Sequence, residues 1–173
     1  MMKILAINSI SFKKRMIELL FDYLFILAYL VLLFLGSMLF YTIFFNGIPE
    51  YTEIQSQCLV FFTSVLPVTL VFTFLDYRKN GSFGKAKAGL QLVYKKKTVQ
   101  ASLLRNTIKF LPWQIGHMGT IHGFYSEFDF LSIILSFLAT LLAVALLAMM
   151  VFRKDKRHLG DLIVHTQVQL KGD

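Results

Sequence analysis

Three stretches of the chain lack Asp, Glu, Lys and Arg for longer than a bilayer requires. Residues 23–45 run 23 positions without a charge, residues 54–75 run 22, and residues 130–152 run 23. Roughly 20 apolar residues in a helix cross the ~30 Å of membrane hydrocarbon. The pattern therefore predicts transmembrane helices over about residues 16–45, 55–75 and 130–152. The first is longer than a span needs, so its opening turns lie in the interface or the helix tilts. Asn46-Gly47-Ile48-Pro49 ends it with turn residues. Pro67 sits inside the second helix, where a neighbouring helix must satisfy the carbonyl that proline frees.

A different pattern occupies the polar segments. Leu90, Leu92 and Tyr94 alternate with Gln91, Val93 and Lys95, and residues 98–101 resume an extended pattern. Thr166-Gln167-Val168-Gln169-Leu170 alternates polar with apolar. These three runs predict a small sheet beneath the membrane.

Residues 102–123 fit neither pattern, because Arg105, Asn106, Lys109, Gln114, His117 and His122 interrupt them. Parity decides. The span at 130–152 ends at Arg153-Lys154-Asp155-Lys156-Arg157. An odd number of crossings would export these four cations. A polar third crossing over about 103–123, holding Pro112 and shielded by the other helices, restores an even count. The runner-up is an interfacial or re-entrant segment with three true spans.

Charge orients this arrangement. All 18 Lys and Arg residues fall within residues 3–15, 78–109 and 153–171. The intervening connectors hold Glu50, Glu53, Glu127 and Asp129 but no Lys or Arg. By the positive-inside rule, both termini and segments 1–15, 76–102 and 153–173 are cytoplasmic. The net charge of +8 thus reads as contact with anionic headgroups and not with nucleic acid. An apolar content of 56 % in long runs excludes an ordinary soluble domain. The basic N-terminus before a long apolar run, without a cleavage pattern, reads as an uncleaved signal anchor. Cys58 is the sole cysteine, which excludes an intrachain disulfide, and it is expected to be a small buried residue.

Arg15, Glu18 and Asp22 share one face of the first helix by their spacing of three and four, and Tyr29 and Gly36 continue that face. A carboxylate at the position of Asp22 lies at the hydrocarbon boundary, so it faces protein and is paired. It serves either as an ion- or proton-responsive site or as a structural ion pair. His117, His122, Glu127 and Asp129 superficially suggest a metal set, but histidines five apart do not share a helix face, and no metal is expected. Gly81-Ser82-Phe83-Gly84-Lys85 has the wrong spacing for a phosphate loop. Lys85, Lys87, Lys95, Lys96 and Lys97 are expected at lipid headgroups. Thr63, Ser64, Thr69 and Thr73 are expected to serve helix packing. No catalytic triad or paired carboxylates are recognisable, and neither an enzyme nor a cofactor is expected.

In their order and spacing these residues resemble the RDD family of small bacterial membrane proteins, named for one arginine and two aspartates. Arg15-Met16-Ile17-Glu18-Leu19-Leu20-Phe21-Asp22 matches its opening arginine and first aspartate. Asp161, within Lys156-Arg157-His158-Leu159-Gly160-Asp161-Leu162-Ile163-Val164-His165-Thr166, matches the second. Ser82-Phe83-Gly84-Lys85-Ala86-Lys87-Ala88-Gly89-Leu90 is similar to the family's T-x-G-K-x-x-x-G-L segment, with serine for threonine. Leu103-Leu104-Arg105-Asn106 and Leu111-Pro112-Trp113-Gln114-Ile115-Gly116-His117 match further elements. His165 stands where the family usually has a small residue. The resemblance spans about residues 12–170 and implies a bacterial cell membrane protein, with transport of an ion or small solute as the suggested role and no particular substrate.

The expected molecule is an all-α integral membrane protein of four helices with a small cytoplasmic β element. Arg15, Glu18, Asp22, Arg105 and Asp161 form its polar site. Four short helices make a thin wall for a pathway, so a homo-oligomer or a larger membrane-protein partner is expected. The competing expectation is a non-catalytic accessory, regulatory or immunity subunit.

Overall fold

Helix α1 begins where Ser11 caps it, its hydroxyl accepting from the Lys14 amide, and runs over Phe12–Phe45 to a left-handed Asn46. The computed structural model describes Ile4, Ile7, Asn8 and residues 10–172. Lys3 of the first basic block lies outside the described residues.

The second long helix starts earlier than hydropathy predicts. Thr52 and Gln55 cap each other reciprocally, so α2 opens at Glu53 and runs to Val60. A five-residue π-helical stretch, Phe61–Val65, leads into α3, Leu66–Lys79. Pro67 cannot donate to the Thr63 carbonyl four residues before it. The Tyr29 hydroxyl of α1 donates to that carbonyl instead. Thr63, Ser64, Thr69 and Thr73 each donate to the carbonyl four residues earlier, so these hydroxyls are satisfied within the helix. Cys58 is exposed, not buried, because Gln57 beside it takes the inward position and donates to the Met118 carbonyl.

A short α4, Phe83–Lys87, folds back against α1 and leads into β1, Leu90–Tyr94. The chain then enters α5, Val99–Ser126, a continuous helix of 28 residues, about 42 Å long. Residues 98–101 are not a strand: the Thr98 hydroxyl accepts from the Ala101 amide and starts α5. The sheet has two strands, not three, among the described residues. Helix α6, Phe130–Phe152, is capped by Asp129 and packs along α5. A five-residue α7, Leu159–Ile163, precedes β2, Thr166–Leu170, which pairs antiparallel with β1 from Leu90↔Leu170 to Tyr94↔Thr166.

Among the described residues, three helical stretches are long and apolar enough to cross a membrane: Phe12–Phe45, Glu53–Lys79 and Phe130–Phe152. Helix α5 is more polar but runs beside Glu53–Lys79 from end to end. Its first turns reach Asp76 through Arg105, and its last turns reach Glu53 through His122. Two apolar clusters fix these elements. Val68, Phe72 and Phe110 join α3 to α5 under Phe25, Tyr29 and Trp113. Ile10, Ala88, Leu90, Leu92 and Val168 form a second core under the sheet. The molecule thus has a charged end, where α1 and α5 begin and α3 and α6 finish, and an opposite end.

Candidate functional site

Five elements meet at the charged end, and each contributes ions. Arg15, Glu18 and Asp22 come from α1, Asp76 from α3, Lys85 from α4, and Arg105 and Lys109 from α5. Asp161, from α7, completes the set. Except for Lys109, all are at most 4 % exposed. Their contacts form an alternating chain. Arg15 Nη1 donates to Glu18 Oε2 at 2.7 Å, and Lys85 Nζ lies 3.3 Å from Glu18 Oε1 and 3.5 Å from Asp76 Oδ1. Arg105 then bridges two aspartates, with Nη1 2.8 Å from Asp76 Oδ2 and Nε 2.6 Å from Asp161 Oδ1. Four cations face four carboxylates, so the formal charge is zero. Buried charges persist only when paired and hydrogen-bonded in this way.

Neutral groups complete the pairing. Asn106 Nδ2 donates to Asp76 Oδ2 at 3.0 Å, and the Thr166 hydroxyl donates to Asp161 Oδ1 at 2.8 Å. Arg15 Nη2 donates to the Lys156 carbonyl, tying α1 to the segment after α6. Asp22 forms a branch. It accepts from the Ser82 hydroxyl and the Gly84 amide, each at 2.9 Å, and from Lys109 Nζ at 3.3 Å.

Gly84 has to be glycine for steric reasons. A Cβ there would lie 2.0 Å from the Glu18 carbonyl oxygen and 2.7 Å from Asp22 Oδ1. Ser82 supplies a hydroxyl that accepts from the Lys85 amide and donates to Asp22, so the serine found here keeps the chemistry of a threonine. His165 has φ +52°, a left-handed conformation just after α7 that glycine adopts at the lowest cost and histidine more readily than most residues.

Lys85 corrects the sequence reading: it is fully buried in the ion chain and not at a headgroup. Burial alone lowers the basicity of its ammonium, but Asp76 and Glu18 outweigh burial and raise its pKa. Burial also pushes the Asp161 carboxyl up, and Arg105 and His158 overcome that and hold it low. Lys87, Lys95, Lys96 and Lys97 are exposed, and Lys97 donates to Asn80 while lying over the Tyr77 ring.

Spacing on α1 brings Arg15, Glu18 and Asp22 together, and Tyr29 continues their face by reaching Thr63. Gly36 does not, since nothing lies within 4 Å of a Cβ placed there. Sequence reasoning misses Asp76, the centre of the chain, by counting it with the basic loop. The available signal is that Asp76 is the sole acid between Glu53 and Glu127, in a stretch with nine Lys and Arg residues. Lys109, Asn106 and Ser82 are missed as well. At the opposite end His122 lies between Glu53 and Asp129, at 2.8 and 3.3 Å, while His117 packs on Trp113.

Next to the Asp22–Lys109 branch, a cavity of about 690 Å³ opens between α1, α5 and α6. Glu18, Asp22, Arg105, Lys109 and His158 line its charged end, and mostly apolar side chains line the rest.

Compared with known protein families, residues 10–165 match the model of the RDD family. No curated protein and no solved structure matches the chain.

Proposed function

The chain belongs to the RDD family, and we propose that it is a non-enzymatic four-crossing protein of the bacterial cell membrane that moves an ion or small solute. In this reading α5 is the third crossing, because it runs the full length of Glu53–Lys79 and turns its polar residues toward protein partners. Both termini and the charged end face the cytoplasm, as the three basic blocks direct. The observation that supports a transport site is the Asp22–Lys109 pair. It joins the buried ion chain to a cavity open between helices. Arg105 and Asp161 hold the inner wall, and the backbone amide of Gly84 fixes the Asp22 carboxylate.

The test is flux into proteoliposomes of the purified chain, screened over protons and monovalent cations. Asp22→Asn keeps the shape of the side chain and removes its charge, and it is expected to abolish flux while expression and helix content persist. Normal flux in that variant rejects the site. A reporter fused to the C-terminus is expected on the cytoplasmic side, and an external reporter rejects the even number of crossings.

A second reading, an accessory or immunity subunit, draws on the outer half of α1. Leu32, Phe34, Leu35, Leu39, Ile43 and Phe44 are all exposed there, on several sides of the helix. A larger membrane protein or a second copy would cover this surface. Pull-down in mild detergent is expected to recover such a partner in near-stoichiometric amount, and a chain that conducts nothing alone would favour this reading over transport.

A further inference from the structure

The cavity has two unlike ends. Near Asp22 its wall is ionic, while Leu27, Leu30, Val144 and Leu147 of α1 and α6 make it apolar toward the middle of the bundle. Leu27, Val144 and Leu147 are also exposed, so the apolar part opens sideways to whatever surrounds the helices. A small hydrated ion needs only the charged end of this wall. A molecule with a polar head and an alkyl tail uses both ends.

The charged end also selects a sign. Glu18 is bound by Arg15 and Lys85, and Asp22 by Ser82, Gly84 and Lys109. Arg105 is committed to Asp76 and Asp161. Lys109 is the least buried cation of the set, its side chain 22 % exposed where those of Arg15, Lys85 and Arg105 are 1–3 %. It has one carboxylate partner, at 3.3 Å, and its remaining donors face the rings of Phe72 and Phe110 and the cavity.

His158 adds a second donor. It is 6 % exposed and lines the same cavity. Its Nδ1 accepts from the Gly160 amide at 3.0 Å, so the ring proton sits on Nε2. Nε2 has no hydrogen-bond partner among the described residues, although Asp161 Oδ2 lies 3.3 Å away. A buried donor of this kind is costly unless something accepts from it.

We propose that this cavity binds an anionic membrane lipid, its headgroup taken by Lys109 and His158 and its acyl chain lying between α1 and α6. The inference rests on the bilayer placement proposed above and not on transport. A chain without flux can still bind lipid, and a chain without lipid preference can still conduct, so the two fail separately.

Trp113 is the chain's sole tryptophan and lines the cavity, which makes it a built-in reporter. The full chain is reconstituted in phosphatidylcholine vesicles that contain a minor fraction of bromine-labelled phosphatidylglycerol or, in parallel, of bromine-labelled phosphatidylcholine. Bromine quenches tryptophan on contact. The expected result is about a fivefold stronger apparent affinity for the anionic quencher, the worth of one lysine near an anionic headgroup. Lys109→Gln is expected to remove that preference and Lys109→Arg to keep it. Ala143→Phe, which leaves every ion in place, is expected to fill the cavity and reduce quenching by both lipids. Equal quenching by the two lipids in the natural chain overturns the proposal. So does a preference that survives Lys109→Gln, or quenching that Ala143→Phe leaves unchanged.

Discussion

The two ends of the bundle both carry ion pairs between α1–α3 and α5, but they treat charge in opposite ways. At the charged end four carboxylates and four cations are locked together, seven of the eight essentially out of contact with water. At the opposite end His122 meets Glu53 and Asp129, whose side chains remain 37 % and 44 % exposed. The distances are similar, and the energetic stakes are not. An exposed pair contributes little because water competes for each ion and side-chain entropy is lost. A buried set is costly to dissolve one ion at a time, because each removal strands a desolvated partner, least so at Asp22, whose cation Lys109 is partly exposed and borders the cavity.

The largest expected effect therefore comes from the centre of the chain. Asp76→Asn leaves Lys85 and Arg105 without their shared anion and is expected to cost about 3–5 kcal/mol, measured as loss of folded material in detergent. A drop comparable to that of an exposed pair would erase the contrast between the two ends.

Next comes acid. Burial holds the His158 pKa down at about 4, despite the pull of Asp161, against 6.5 for the free side chain. Between these values the unfolded chain binds a proton that the folded chain refuses, so stability is expected to fall as pH drops from 6.5 to 4. The full loss is about 3 kcal/mol. Melting temperatures across that range check the trend, and His158→Asn, which retains a capping acceptor, is expected to flatten it. Below this window the depressed carboxylates Asp161 and Asp155 take over the acid sensitivity.

Gly84→Ala adds one methyl group and no charge. The obstacle is backbone, so α4 has to shift from α1 and Asp22 loses its amide donor, at an expected cost of about 1–3 kcal/mol by thermal unfolding. The smallest effect is Glu53→Gln at the opposite end, expected below ~1 kcal/mol in the same assay.

The sequence discloses the parts of this contrast that depend on local periodicity. Positions three and four apart put Arg15, Glu18 and Asp22 on one face, and family-like spacing adds Arg105 and Asp161. Strict alternation marks Thr166–Leu170 as a strand. Legibility fails where distant segments decide. Asp76 lies just past an uncharged run and so reads as part of the basic loop, although a lone acid among nine cations has strong electrostatic reason to be sought by them. Lys85 sits in a Gly-rich turn, and nothing in that turn reveals that α4 folds back onto α1 and buries it. Thr98 reads as extended. Its own backbone is extended, but its side chain caps the helix that follows. The polar character of α5 conceals its length, because hydropathy cannot know that Arg105, Asn106 and His122 each meet a partner.

The most direct measurement is proton- or cation-dependent flux in proteoliposomes for Asp22→Asn and Glu53→Gln, each reconstituted at equal density with retained helix content. The expected result is loss of flux in Asp22→Asn and near-natural flux in Glu53→Gln. Equal flux in the two variants, whether both retain it or both lose it, would contradict the assignment of function to the charged end.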